Sequence, residues 1–217
     1  VLALLMKENT AALEIAQRWH ALAPNNEQAE QTLALALLRN GRLEEAAGYL
    51  ETVRRAASKK DQQQGYATIA ALLGQANDKA LALRVMGQFR DRNPRSAFAQ
   101  YYYAMLAAAA EDRGQALASL DLALARDPKL VPAHLLRTRL LLDGGDKETA
   151  LAGLAKAVAA LPRDRNLRMS YARLLIDAGQ LDKARREFAT LLSQNPKDTD
   201  SLYALGLLAA ETRQFDL

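Results

Sequence analysis

The chain contains no cysteine, which removes disulfides and any thiol-based metal or redox chemistry. That absence leaves the compartment open, since secreted proteins can also lack cysteine. Aromatic residues are scarce at 6 %, while alanine and leucine dominate, a balance that favours helix over sheet. Long apolar runs are missing as well. The longest, YYYAMLAAAA at 101–110, is about half the length a membrane span requires. The opening VLALLM has no basic residue before it and no small-residue cleavage pattern after it, so it reads as part of a helix and not as a signal peptide. Nor is there a strong excess of one charge: 29 basic and 25 acidic residues leave a formal +4, too little to indicate nucleic acid by itself. What remains is 217 residues, half of them hydrophobic, enough to bury a sizeable core.

What the sequence does have is a period. Prolines 94, 128, 162 and 196 are 34 residues apart. Ahead of each, in the same register, stands a small residue (Ala82, Ala116, Ala150, Ala184), followed four residues later by a larger apolar one (Met86, Leu120, Leu154, Phe188). Earlier in the units come the large-small pairs Ile69-Ala70, Tyr103-Ala104 and Tyr171-Ala172, with Leu73, Leu141 and Leu175 a turn on. In GQLDKARREFATLLSQNPKD at 179–198, Leu181, Ala184, Phe188, Leu191 and Leu192 form one helical face. Asn195-Pro196 then stops the helix. One such stripe cannot bury itself, so neighbouring copies must cover it.

The small residues predict two helices per unit that approach closely. Gly41, Gly145 and Gly179 share one register position and suit the turn between those helices. Ser96, Asp164 and Asp198 stand where they can cap the helices that follow.

This pattern resembles the tetratricopeptide repeat, a 34-residue helix–turn–helix. The resemblance implies an all-α fold, a right-handed superhelical solenoid of antiparallel helix hairpins. It divides the chain into five full repeats, 27–62, 63–96, 97–130, 131–164 and 165–198, in a single solenoid over 1–217. Residues 1–26 fit the later part of a unit, with Ala12, Ala16 and Pro24 in place; 199–217 fit a first helix, with Leu202, Leu205-Gly206 and Ala209. The unit 27–62 is two residues longer, with Ser58 in place of proline, so its second helix is expected to run on through RRAASKK. Arg137-Thr138 replace the usual large-small pair, which predicts a looser hairpin or a slightly rotated first helix. Neither end shows a polar capping unit, and the expectation is a fragment of a longer chain.

No arrangement for catalysis stands out. His20 and His134 lie in different units and read as packing or surface residues; no phosphate loop, metal-spaced cluster or nucleophile elbow is present in the sequence. The expectation is a protein that is not an enzyme, with no catalytic residue, no metal and no cofactor.

The resemblance places a binding groove on one stripe of the first helices. Carried over, that stripe holds Gln31 and Leu35, then Phe98, Tyr101 and Met105, then Leu135, Arg139 and Asp143, then Met169, Arg173 and Asp177, and finally Tyr203. Phe98, Tyr101 and Met105 share one helix face and are expected to form an exposed apolar patch, a mark of a protein contact. Arg139 and Arg173 are equivalent residues, as are Asp143 and Asp177, and such a ladder can hold an extended peptide. The plainer reading is surface ion pairs between neighbouring helices, worth little. The lysine and asparagine of the chaperone-binding clamp are absent: the pairs there are Gln31/Leu35, Ala67/Ala71 and Tyr101/Met105. Basic residues gather at the turns RDRNPR, RDPK and LPRDRNLR, interleaved with Asp91, Asp127 and Asp164, as a solvated edge does.

The resemblance therefore implies an interaction scaffold whose partner is another protein, bound as an extended or helical segment. In overall style the chain is similar to bacterial envelope tetratricopeptide lipoproteins, adaptors that present cell-wall hydrolases to a C-terminal-processing protease. That implies a periplasmic location and an outer-membrane anchor outside these residues. Nucleic acid is not expected, because the groove mixes apolar, Arg and Asp residues. The alternatives are a helical-repeat nucleic-acid reader and a targeting module for a catalytic domain elsewhere.

Overall fold

The computed structural model describes residues 2–59, 61–76 and 78–212, with side chains from 8 to 210 within those ranges. Among the described residues every regular element is an α-helix. They are α1 (Leu2–Leu22), α2 (Glu27–Arg39), α3 (Leu43–Ser58), α4 (Gln62–Gly74), α5 (Lys79–Arg92), α6 (Ala97–Ala109), α7 (Arg113–Arg126), α8 (Val131–Asp143), α9 (Lys147–Ala160), α10 (Arg165–Asp177), α11 (Leu181–Gln194) and α12 (Thr199–Thr212). Two compact units result, residues 1–126 and 127–217.

Within each unit every helix packs on the next, and the short connections make neighbours antiparallel. The first helices also pack on one another: α2 on α4 and α4 on α6 in one unit, α8 on α10 in the other. The second helices stand behind them. Small residues set the spacing. Ala46, Ala82, Ala116, Ala150 and Ala184 are all buried, and one turn on Leu50, Met86, Leu120, Leu154 and Phe188 fill the space beside them.

Among the described residues, the α2–α3, α6–α7, α8–α9 and α10–α11 turns repeat one hydrogen-bond scheme. Gly41 N–H donates to the Leu38 carbonyl at 3.0 Å and Arg42 N–H to Leu37 at 2.9 Å, with Gly41 at φ 71°. Gly145 and Gly179 do the same at φ 81° and 70°. This is the left-handed helix end that glycine favours. Glu111 occupies the same register with φ 64°, making the equivalent bonds from a residue with a Cβ. A left-handed conformation costs a non-glycine residue about 1–2 kcal/mol. Glu111→Gly is therefore expected to raise stability by about 1 kcal/mol after the unfolded-state entropy of glycine is counted; a urea titration reads it, and an unchanged midpoint contradicts it.

Three helix starts are capped by the residues the sequence implies, while α3, α8 and α11 start without a side-chain cap. The Ser96 hydroxyl accepts from Ala99 N–H at 3.2 Å, Asp164 from Leu167 at 2.9 Å and Asp198 from Ser201 at 3.4 Å. Asn26, Asp61, Asp78 and Asp146 serve in the same way. Without its proline, α3 runs on to Ser58.

Three details depart from the repeat pattern. Ala12 is exposed, because α1 lies against α2 and Leu13 and Ala16 take the buried places. Leu202 is half exposed. In α8 the buried residues are Ala133, Leu140 and Leu141 alone, fewer than in α10. There Thr138 turns its hydroxyl back to the His134 carbonyl at 2.9 Å, and Arg137 lies over Gly153, whose missing Cβ leaves the room.

Candidate functional site

The second unit brings the expected stripe together. Leu135, Arg139 and Asp143 on α8 face Arg173 and Asp177 on α10 around one cavity of about 390 Å³, completed by Thr138, Leu142, Ser170 and Leu174. A second cavity, of about 330 Å³, is formed by Met169, Arg173 and Ile176 of α10, Phe188 of α11, and Tyr203, Leu207 and Leu208 of α12, with Asp200 and Ala204 at its border. Arg173 belongs to both. Its register explains this: 139, 173 and 207 are one repeat apart, so Arg139, Arg173 and Leu207 stand in a row across successive first helices.

The walls differ in chemistry. The α10–α12 cavity is floored by Phe188, which is 1 % exposed, and sided by Met169 and Leu208, both buried. Its rim is open: Tyr203 is 71 % and Leu207 54 % exposed. Large apolar groups clustered at that exposure mark contact sites. In the α8–α10 cavity, Arg139 reaches Asp143 at 3.8 Å, both well exposed. This pair lies within one helix, not between neighbouring helices as the plainer reading of the sequence had it. It is worth a few tenths of a kcal/mol. Arg173 makes no ion pair among the described residues.

Beside the cavity stands a structural clamp. The Arg165 guanidinium forks onto the buried Asp198 with two bonds of 2.8 Å and reaches Asp200 at 2.7 Å. This ties the start of α10 to the start of α12 and neutralises Asp200 at the cavity border. Hydrogen bonding from Arg165 holds the Asp198 carboxyl below its ordinary value of 3.8, outweighing the opposing effect of burial. A depressed carboxyl stabilises the fold above its ordinary value and loses that contribution as pH falls through the folded value. Acid titration of stability should thus show a loss beginning near pH 3.8 that Asp198→Asn removes; an identical acid limb in both proteins contradicts it.

The first unit is different. Phe98, Tyr101 and Met105 on α6 are each half-buried, not an exposed patch. The reason is packing: α4 lies along α6, and the Tyr101 ring stands edge-on to Tyr102 at 4.9 Å. Burial raises the Tyr101 phenol above its usual value. Gln31 and Leu35 on α2 are half-buried too. A cavity of about 190 Å³ is lined instead by Asn9, Leu38, Arg39, Gly41 and residues of the next turn.

Sequence reasoning missed a series of contacts in this unit between basic side chains and aromatic rings. His20 stands edge-on to Tyr49 at 5.1 Å, Arg54 lies over Tyr66 at 5.2 Å and Arg90 over Tyr103 at 3.9 Å. The common register of the three basic residues, near the end of each second helix, was the available signal. Arg54 is further held by Glu51 at 2.8 Å and Arg90 by Asp91 at 2.9 Å. His134 donates from its Nε2–H to the Pro128 carbonyl, 2.9 Å away. Among the described residues no group of three metal-binding side chains occurs, and no helix is long and apolar enough to cross a membrane.

Residues 141–210 match the tetratricopeptide repeat family. No curated protein matches the chain. Among solved structures, the fold is similar to YrrB, described as a TPR protein with an unusual peptide-binding site: 22 % identity, TM-score 0.53, covering 75 % of this chain and 85 % of that one. It is also similar to a thermophilic TPR protein of Thermus thermophilus, at 24 % identity and TM-score 0.53, covering 85 % of this chain and 100 % of that one. A tetratricopeptide repeat protein of Parabacteroides merdae ATCC 43184 matches at 19 % identity and TM-score 0.51 over 95 % of this chain and 81 % of that one. The helical fold is similar to that of these tetratricopeptide-repeat structures.

Proposed function

We propose that this tetratricopeptide-type chain is a non-catalytic scaffold that holds a segment of another protein along α8, α10 and α12. One observation carries the reading: two adjoining cavities built from equivalent positions of successive helices, with exposed Tyr203 and Leu207 at the open rim. A surface preformed by packed helices binds with little ordering penalty, which suits a flexible partner. The similar fold of YrrB, a protein described as having a peptide-binding site, supports the same class of ligand. The first unit serves as structural support in this reading, since its side chains on the corresponding stripe are half-buried.

A narrower form of the proposal is an envelope adaptor that brings cell-wall hydrolases to a C-terminal-processing protease in the periplasm, with the anchor in a segment outside these residues. Its support is the sequence style alone.

The test is affinity capture from native extract with the parent and a Tyr203→Ala/Arg173→Glu variant, read by mass spectrometry. Both residues are exposed, so the fold should survive. Proteins retained by the parent and lost by the variant are the expected result, and a protease or hydrolase among them would favour the adaptor form. Equal capture by both proteins contradicts the site.

A further inference from the structure

The charges around the two cavities are unequally compensated, and this specifies the ligand. Arg139 has Asp143 and Asp200 has Arg165. Arg173, exposed and shared by both cavities, has no ion-pair partner among the described residues. Asp177 lies one turn further along α10, about 6 Å away at helical rise, and is not within ion-pair distance of it. An open guanidinium thus stands at the mouth of a cavity whose floor and sides, Phe188, Met169, Ile176 and Leu208, are apolar. A volume near 330 Å³ accommodates one large aliphatic or aromatic side chain.

We infer that this site selects a peptide segment in which a large apolar residue is followed or preceded, within one or two residues, by an aspartate or glutamate. The apolar side chain enters between α10 and α12, and the carboxylate takes the fork of Arg173 at the edge of the α8–α10 cavity. The carboxylate comes from a side chain within the segment. Its neighbour Asp177, carrying the opposite charge, rejects a second acid placed one turn further and admits a basic or neutral residue there, which gives the segment a direction. A guanidinium flanked by an apolar wall suits this role because it binds a carboxylate with two parallel bonds and is weakly hydrated. A lysine would offer neither. The inference rests on the proposed scaffold reading and adds the chemistry of the segment to it.

A random twelve-residue peptide library displayed against the whole 217-residue chain tests it, followed by fluorescence anisotropy on labelled synthetic versions of the enriched peptides. The expected result is enrichment of Phe, Leu, Met or Trp beside Asp or Glu. For those peptides Arg173→Gln should weaken binding about tenfold, and Glu→Gln in the peptide by a similar factor, with no further loss when both changes are combined. Leu207→Asp should weaken it at least as much by placing a charge at the apolar mouth. Peptides that lose affinity on Leu207→Asp while ignoring Arg173→Gln and their own Glu→Gln would overturn the carboxylate assignment and leave the scaffold reading standing. Peptides indifferent to Leu207→Asp and Arg173→Gln alike would overturn both, as would a library that yields no binder.

Discussion

Gly65→Ala is expected to destabilise the first unit by about 2–3 kcal/mol, although alanine is ordinarily the better helix residue. Gly65 sits inside α4, where exchange for alanine should gain up to about 1 kcal/mol of helix propensity. Sterics oppose that gain. A Cβ built on Gly65 would stand 1.9 Å from the Ser58 hydroxyl oxygen and 2.6 Å from the Arg54 carbonyl oxygen. Ser58 is a short side chain near a helix end and can rotate away. The Arg54 carbonyl is backbone of α3, and moving it means moving the helix. The close approach has a clear origin: with Ser58 in place of proline, α3 runs on, and its extra turn crosses α4 where no side chain stands. Gly74, at the other end of α4 with open space around its Cβ position, is the control, and Gly74→Ala should be neutral or stabilising. Urea titrations of the two variants separate the terms. A Gly65→Ala protein as stable as the parent would contradict the packing of α3 on α4.

Phe188→Ala carries the largest expected loss, about 3–5 kcal/mol, from the lost transfer energy of the ring and the cavity left behind. Phe188 is almost wholly buried among Met169, Ala172, Leu175, Ala184, Leu191, Leu205 and Leu208. Against a total stability of about 5–15 kcal/mol for a domain, that loss is a large share. Stacked repeats contact chiefly their neighbours, so the damage should stay local. Hydrogen exchange should show α10, α11 and α12 losing protection while α2 to α7 keep theirs. The same ring floors the candidate cavity, so peptide affinity should fall together with local stability. Uniform loss of protection across both units would contradict this locality.

The fold was legible because a 34-residue period fixes where small and large residues meet. In every full unit from 27 to 198, the second helix buries its alanine and the larger residue four places on. The turns at Gly41, Gly145 and Gly179 were legible as well; at Glu111 tertiary geometry imposes on an ordinary residue the conformation glycine holds at those three. The candidate site divides in two. On α8, α10 and α12 the stripe lines real cavities, because register alone aligns Arg139, Arg173 and Leu207. On α6 the same register leaves Phe98, Tyr101 and Met105 half-buried, since how far α4 closes over its neighbour depends on side-chain packing that periodicity does not encode. Phe188 was legible as core but not as cavity floor. That role arises from the space between α10 and α12, not from any property of the residue. Arg165 with Asp198 was illegible for the same reason: the pair joins residues 33 apart across two helix starts.

The central claim is that the second unit's row of first helices is where a partner protein sits. Photo-crosslinking tests it most directly, with a benzophenone amino acid placed at Tyr203 in one protein and at Leu122 in another. Leu122 is 49 % exposed and belongs to α7, a second helix of the first unit. The account predicts a crosslinked partner from position 203, absent from position 122 and abolished when Arg173→Glu is added. Crosslinks of equal yield from both positions, or a partner captured from 122 alone, would contradict it.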